Sequence, residues 1–252
     1  MIRLSRVSLK RTHTREAISQ RLSSGPRQTY LKDMVFGAID GSITTFAIVS
    51  GVAGAGLSSG VVIVLGLANL LADGFSMAAS NFLGTRAENA YRAFMREREI
   101  AEIETYPEGE REEIRQIFAM KGIEGRALDD LVAAVTANPK LWVDTMLQEE
   151  HGLNPEDTNA WWSAIATFVA FLLAGALPLL AFVINWFVPG AIDDAFLFSA
   201  VITLVGFAVV GAAKGHFTDG RYLLSVLETL VVGSIAAGLA FGVGYGLQAL
   251  VD

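Results

Sequence analysis

The sequence predicts an all-α membrane protein with five transmembrane helices and a cytoplasmic helical domain inserted between helices 2 and 3. Of its 252 residues, 52% are hydrophobic, and the mean hydropathy is +0.45. That is more apolar than a soluble domain of this size. Five apolar stretches approach the roughly 20 residues that a helix needs to cross a bilayer core. The acidic residues instead concentrate in one segment between the second and third stretches.

Two features of the composition exclude whole classes of function. The chain contains no cysteine, so disulfides, cysteine zinc sites, thiol catalysis and iron–sulfur clusters are excluded. The net charge of −7 gives the chain no general affinity for nucleic acid. The expected partners are therefore the lipid bilayer and small ions, with no nucleic acid.

Residues 1–31 are rich in Arg and Ser and contain a single acid, Glu16. We interpret them as a basic cytoplasmic tail that faces anionic lipid. An organellar transit peptide has a similar composition and is the alternative. Composition does not decide whether the tail is cleaved.

The predicted spans fall into two groups, with helices 1–2 in residues 32–83 and helices 3–5 in residues 161–252. The apolar stretches themselves cover residues 34–54, 61–83, 161–188, 195–213 and 223–251. Eight Lys and Arg residues precede the first stretch, nine lie between the second and third, and two lie between the fourth and fifth, which accounts for all 19. Because such residues stay on the cytoplasmic side, the N-terminus and the central segment are predicted to be cytoplasmic. The missing address signal favours a bacterial inner membrane over a vacuole or organelle.

The central segment, residues 84–160, has the character of an acidic helical metal-binding domain. It carries 17 acids against 9 bases. Apolar residues recur in it at helical spacing, and prolines stand where helices begin. The pattern predicts three or four helices, the first continuing from the second span. The apolar positions are Ile114, Ile117, Phe118, Leu128, Leu131, Val132, Val135, Leu141, Trp142 and Met146.

Ionisable residues inside the first two spans indicate a transport path, because each costs about 2.5 to 3.5 kcal/mol to insert. Asp33 and Asp40 lie two helical turns apart on one face. On the second span, Asn69, Asp73 and Met77 follow one another at four-residue spacing. Carboxylate, amide and thioether groups together suit a divalent first-row metal.

Each of these residues also has a structural interpretation. Asp33 can lie at the membrane surface, Asp73 can cap an interfacial amide, and Met77 can be ordinary packing. Asp40 is harder to explain in this way, since no Lys or Arg falls within the five apolar stretches to neutralise it. A buried carboxyl group can hold a proton when metal is absent, so metal and proton would compete for one site. That competition is the physical basis of antiport.

The central segment repeats an E-x-x-E pattern, which places two carboxylates on one helical face. Glu99 and Glu102 form the first pair, and Glu110 and Glu113 form the second. Oxygen ligands with a thioether again fit iron, manganese, cobalt or zinc, although acidic helical faces are often merely solvated. A later helix ends in residues that can close such a site: Met146, Glu149, Glu150 and His151.

The fifth span contains Gly238, Gly242 and Gly246 at four-residue spacing, with Gly244 beside them. Small residues at this period let helix backbones approach closely in lipid. The spacing indicates either a homodimer or tight packing within one subunit.

Four segments resemble the vacuolar iron transporters, a family that exports ferrous iron and often manganese from the cytosol. The resemblance covers roughly residues 30–251. The segments are KDMVFGAIDGSITTFAIVSGVAGA, GLANLLADGFSMAASNFLGTRAEN, REREIAEIETYPEGEREEI and NPKLWVDTMLQEEHGL.

The resemblance implies a homodimer of five-span subunits that works as a metal/proton antiporter, with the path at the dimer interface. It places Asp33, Asp40 and Met77 in the path. It also places a set of residues in the cytoplasmic metal-binding domain: Glu99, Glu102, Glu110, Glu113, Met146 and Glu150.

Two positions depart from the family. Asn69 stands where a glutamate is common, so the path has one negative charge fewer than is usual. This puts proton coupling in doubt unless Asp73 supplies the missing charge. Leu147 stands where a second methionine often follows Met146.

We therefore expect a secondary transporter, not an enzyme, that exports Fe²⁺ by proton antiport, with Mn²⁺ as a second candidate cargo. Co²⁺ and Zn²⁺ are further metal ions that these side chains can bind. The sequence does not rank iron over manganese. The alternative is a membrane-anchored sensor or store that binds metal without moving it. A ferroxidase is a weaker alternative. The four-helix sites of such enzymes use Glu-x-x-His, whereas His151 follows Glu150 directly.

Overall fold

The computed structural model describes residues 13–23, 29–217 and 222–250, and every regular element in these ranges is a helix. This confirms the predicted all-α class. The tail residues 1–12 and 24–28, Arg221 and the end of the fifth apolar stretch lie outside the described residues. The α-helices are α1 Arg15–Ser23, α2 Leu31–Gly54, α3 Ser59–Thr105, α4 Pro107–Met120, α5 Gly125–Thr136, α6 Pro139–Glu149, α7 Ala160–Gly175, α8 Leu180–Phe187, α9 Ala195–Phe217 and α10 Tyr222–Gly246.

The chain divides into two compact units, and helix α3 contributes to both. One unit, here the membrane unit, comprises Met1–Asn81 and Trp161–Asp252. The other, the central unit, comprises Phe82–Ala160. Five helices in the described residues are long and apolar enough to cross a membrane, as the sequence predicts. They are Leu31–Gly54, Ser59–Thr105, Ala160–Phe187, Ala195–Gly215 and Tyr222–Gly246.

The third span is interrupted, although the sequence predicts one continuous stretch. Helix α7 ends at Gly175, a short 3₁₀ turn covers Leu177–Leu179, and α8 follows. Pro178 explains the break, since proline has no N–H to donate to the helix. The hydroxyl of Ser199 on α9 donates to the Pro178 carbonyl oxygen at 2.6 Å. In lipid a carbonyl group at such a break needs a partner within the protein.

Two span helices carry basic residues, which corrects the expectation that none does. Helix α2 begins at Leu31 and therefore includes Lys32 in its first turn. Helix α9 extends to Phe217 and includes Lys214, whose ammonium group lies 2.9 Å from a carboxylate oxygen of Glu228 on α10.

Close helix contacts in the membrane unit depend on glycine. A Cβ on Gly37 or Gly41 of α2 would meet the backbone carbonyl oxygen of Thr167 or Phe171 on α7. Helices α2, α9 and α10 pack together, and Gly244 allows the α10 backbone to approach Gly51. The shared apolar core consists of Phe46, Val49, Val52, Val62, Leu70, Phe171, Leu179, Ala181, Phe182 and Phe207.

The glycine series at four-residue spacing in α10 makes no such contact within the subunit. Added Cβ atoms on Gly238, Gly242 and Gly246 would meet no described atom within 4 Å. Tight packing within one subunit, one of the two interpretations of this spacing, therefore applies to Gly244 and not to the series.

The central unit has its own apolar core, formed by most of the positions that the helical spacing singled out. Ile114, Leu128, Val132, Val135, Trp142 and Met146 are its buried members. Leu141 instead is 45% exposed. A second cluster joins Met95 of α3 to Val143 and Leu147 of α6. Together these contacts fix α6 against α3.

Replacing Gly41 by alanine is expected to destabilise the membrane unit by about 1 to 3 kcal/mol, because the new methyl group would collide with the Phe171 backbone. Gly84→Ala is the matched control, since its Cβ meets no described atom within 4 Å. Thermal unfolding of both variants in detergent checks this. Equal midpoints for the two variants would contradict the close approach.

Candidate metal sites

A cavity of about 500 Å³ opens between α2 and α3 in the membrane unit. It brings together Asp33, Asp40 and Met77, three of the five residues predicted for the path. All three side chains are partly buried. The cavity therefore offers two carboxyl groups and one thioether from neighbouring helices, a donor set that suits a divalent first-row metal. Its other lining residues are Lys32, Phe36, Ser76, Ser80 and Asn81.

Asn81 fixes one wall of this cavity. Its Nδ2 lies 3.0 Å from Asp33 Oδ1, 3.2 Å from the Ser163 carbonyl oxygen and 2.7 Å from Thr167 Oγ1. These contacts hold Asp33 toward α3 and α7. Asn81 continues the four-residue spacing of Asp73 and Met77, and Ser76 and Ser80 repeat that spacing one position earlier. Lys32 was missed because it precedes the apolar stretch.

The remaining two predicted path residues do not line the cavity. Asn69 donates to Thr44 Oγ1 of α2 at 3.4 Å, so its amide links the two helices. Asp73 is partly buried and near enough to Asp40 for their charges to interact. Asp73 thus adds negative charge beside the cavity without forming its wall.

A second candidate site lies in the central unit around Glu99, Glu150 and His151. One ligand atom from each of these three residues lies within 4.8 Å of the others. His151 Nε2 is 2.7 Å from Glu99 Oε1 and 3.7 Å from Glu150 Oε2. The Glu99 side chain is 1% exposed. Its Oε2 has no hydrogen-bond partner among the described residues.

The turn after α6 positions Glu150 and His151. The amides of both residues donate to the Met146 carbonyl oxygen, at 3.0 and 3.4 Å. Gly152 then adopts φ 65°, a backbone conformation that favours glycine. The next amide, of Leu153, donates to the Leu147 carbonyl oxygen at 2.8 Å. This turn directs the histidine back toward α3.

Residues 155–158, which follow this turn, form hydrogen bonds and an ion pair with α3. Thr158 exchanges hydrogen bonds with the Asn89 side chain, at 2.8 and 3.3 Å. The buried Arg92 guanidinium lies 2.9 Å from Asp157. Arg96 donates to the Pro155 carbonyl oxygen at 3.2 Å. These bonds hold residues 155–158 in place, and nothing in the sequence predicts them beyond the presence of polar residue types.

Two further glutamates interact with this cluster from α4. Burial, followed by the negative charge of Glu113, Glu99, Glu102 and Glu150, raises the pKa of Glu110 to about 7. Burial and the charges of Glu150, Glu99 and Glu102 likewise raise the pKa of Glu113. The two E-x-x-E pairs therefore meet in one region of negative potential. A proton or a cation is favoured there.

Three predicted ligands have other contacts in this structure. Glu102 accepts a hydrogen bond from Arg98 at 2.9 Å, and Glu149 forms an ion pair with Lys121. Met146 is fully buried in the apolar core beside Ile114 and Trp142. Glu99, Glu110, Glu113, Glu150 and His151 are the residues whose side chains converge.

Comparison with known proteins decides the family. The sequence profile of the VIT family matches residues 31–245, which is most of the chain. The chain belongs to the VIT family. It is 37% identical to vacuolar iron transporter 1 of Arabidopsis thaliana over 212 residues, covering 84% of this chain and 83% of that relative. It is 35% identical to the vacuolar iron transporter of Toxoplasma gondii over 229 residues, covering 88% and 76%. The predicted family resemblance is confirmed.

Membership of the VIT family leaves the host membrane as a separate question. These two relatives carry the word vacuolar in their names. The expectation of a bacterial inner membrane has no support from these comparisons. The five apolar helices and the VIT family profile together support a multi-pass membrane protein.

Within this VIT chain, Glu110→Gln is expected to raise stability at pH 8 and leave it nearly unchanged at pH 4. The raised pKa means that folded Glu110 keeps a proton that the unfolded chain releases. Stability is therefore lost as pH rises from about 4.5 to about 7, and glutamine removes that loss. Thermal unfolding across this range, without metal, measures the effect. The exposed Glu97→Gln is the control, and the same pH profile in both variants would contradict the raised pKa.

Proposed function

We propose that this chain is a secondary transporter that exports Fe²⁺ from the cytoplasm in exchange for protons, with Mn²⁺ as a second cargo. The observation that carries the proposal is the cavity between α2 and α3, lined by Asp33, Asp40 and Met77. The relatives named as vacuolar iron transporters support iron as the transported ion. Neither observation requires catalytic chemistry, so no enzymatic activity is proposed.

Transport would use the carboxyl groups of the cavity as exchange sites. Two carboxylates and the nearby Asp73 concentrate negative charge in an apolar setting, which is costly unless a cation or protons neutralise it. A divalent ion that enters from the cytoplasm displaces the protons, and protons from the other side displace the ion. Lys32 at the edge of the cavity repels a second cation and so favours single occupancy.

The central unit would capture metal on the cytoplasmic side. Glu99, Glu110, Glu113 and Glu150 form a region of high negative potential, which attracts divalent cations. Lys and Arg residues of this unit also support its cytoplasmic placement, since nine of the chain's 19 lie in residues 84–160. The same rule supports a cytoplasmic N-terminus.

A homodimer with the path at its interface completes the proposal. Phe36 lines the cavity and is 63% exposed, and Phe75 beside Ser76 is 68% exposed. Phe36 is thus an exposed ring in the wall of the cavity, and Phe75 directly precedes a residue of that wall in the sequence. A second copy packed there would exclude lipid and water from the carboxyl groups, which strengthens their interaction with a cation.

The alternative function, a metal sensor or store, also predicts metal binding, so only movement of ions separates the two. Purified protein in liposomes with an imposed pH gradient should take up Fe²⁺ while protons move the other way. Uptake of Mn²⁺, Co²⁺ and Zn²⁺ in the same assay ranks the cargo. Metal binding without any flux would favour the sensor.

Asp40→Asn and Met77→Ala are each expected to lower the rate of Fe²⁺ uptake by about tenfold or more, since each removes a donor from the cavity. Asp193→Asn is the matched control, because this exposed acid lies in a different cavity. Initial uptake rates at equal protein content provide the measurement. Wild-type rates in both cavity variants would remove the proposed path.

The proposed topology is tested by labelling, which the absence of cysteine makes direct. Ser58→Cys and Glu97→Cys each place one thiol at an exposed position. In vesicles of known orientation, a membrane-impermeant maleimide should label Glu97→Cys only from the cytoplasmic side and Ser58→Cys only from the opposite side. Labelling of both positions from one side would contradict the proposed topology.

A further inference from the structure

The Glu99–His151 pair in the central unit is unusually enclosed for two polar side chains. Glu99 is 1% exposed and His151 is 16% exposed. Their contact, 2.7 Å between Oε1 and Nε2, occupies only one oxygen of the carboxylate. The other oxygen, Oε2, is buried and has no hydrogen-bond partner within the described residues. A buried acceptor without a partner costs about 1 to 3 kcal/mol, so this geometry favours occupation by a cation or a proton.

We propose that His151 is a metal ligand of this site, where its Nε2 binds a divalent cation together with Glu99 and Glu150 and favours Co²⁺, Fe²⁺ and Zn²⁺ over Mn²⁺. This inference rests on the proposed capture role of the central unit and names a residue that sets its metal preference. The three ligand atoms already lie within 4.8 Å of one another. A metal ion with bonds of about 2.0 to 2.2 Å to nitrogen and oxygen donors holds those donors roughly 3 to 3.6 Å from one another. The 2.7 Å contact between His151 and Glu99 would therefore open slightly, and the 3.7 Å contact between His151 and Glu150 would close slightly.

The nitrogen donor changes which ions the site prefers. Carboxylates alone suit magnesium, calcium and manganese, whereas imidazole suits zinc, iron and nickel. Affinity for nitrogen-containing sites also rises along the first row from Mn²⁺ through Fe²⁺ to Co²⁺. A site with one imidazole and two carboxylates therefore discriminates against Mn²⁺ more than an all-glutamate site does.

The backbone around His151 holds this residue in a fixed position, as expected of a metal ligand and not of an incidental surface contact. The turn is held by amide bonds to the carbonyl oxygens of Met146 and Leu147, and both of these side chains are fully buried. Glu150, the second carboxylate, precedes the histidine directly and lies at the end of α6. Because one turn carries two of the three donors, both are positioned by the same buried anchors.

His151→Gln tests the assignment, since glutamine can still donate to Glu99 but lacks the imidazole nitrogen. The full-length chain in detergent is titrated with Co²⁺ and, separately, with Mn²⁺, in an Asp40→Asn background that removes the membrane site. We expect Co²⁺ affinity to fall about tenfold or more and Mn²⁺ affinity to change by less than about threefold. His13→Gln is the matched histidine control and should change neither.

A second measurement does not depend on how the variant folds. X-ray absorption at the cobalt edge of the Asp40→Asn protein with one equivalent of Co²⁺ should show the outer-shell scattering of one imidazole. Absence of that scattering overturns the assignment. Equal losses of Co²⁺ and Mn²⁺ affinity in His151→Gln also overturn it, because they indicate a purely structural role, as do unchanged affinities for both ions.

The outcome is separable from that of the proposed function. Glu99→Gln combined with Glu110→Gln should abolish Co²⁺ binding in the same background. If this double variant binds Co²⁺ as before, the central unit does not capture metal, and the proposed function loses that step. If the double variant loses binding while His151→Gln keeps its Co²⁺ to Mn²⁺ ratio, only the role of His151 is wrong.

Discussion

Buried and partly buried carboxyl groups that have no Lys or Arg ion pair among the described residues are the constraint on which both candidate sites depend. In the central unit, Glu99 and Glu110 each bury an Oε2 that has no hydrogen-bond partner among the described residues. In the membrane unit, Asp33 and Asp40 line one cavity, and Asp73 lies near enough to Asp40 to interact with it. Burying unneutralised charge is expensive. A fold that retains several such groups in two places gains from whatever cation neutralises them.

The basic residues of the central unit sharpen this interpretation, because they neutralise other acids. Arg92 pairs with Asp157, and Lys121 pairs with Glu149. Burial acts to raise the pKa of Asp144, but hydrogen bonds from Lys140 and Arg96 lower it overall. These pairs hold the framework of helices and connecting turns. They leave Glu99, Glu110 and Glu150 without a Lys or Arg ion pair in the described part of the chain, so the negative potential at the cluster persists.

The sequence predicted the helices well because apolar length and helical spacing are local properties. It located the five span helices and placed Glu99, Glu102, Glu110 and Glu113 on shared faces, and the structure brings those faces together. It missed the break at Pro178, whose carbonyl oxygen accepts a hydrogen bond from Ser199, a residue 21 positions away. The bond of Asn69 to Thr44 is of the same kind. Such contacts depend on tertiary packing, which residue spacing does not encode.

The departure at Leu147 takes on a different meaning once its surroundings are known. Because the family often has a methionine at position 147, the resemblance suggests that a thioether ligand is missing there. In this structure Leu147 is fully buried among Met95 and Val143, and Met146 is fully buried beside Ile114 and Trp142. A methionine at position 147 would therefore meet apolar side chains and not the glutamates. The donors that converge are carboxylates and one imidazole, and such a set binds borderline metals by nitrogen and charge without needing a soft sulfur ligand.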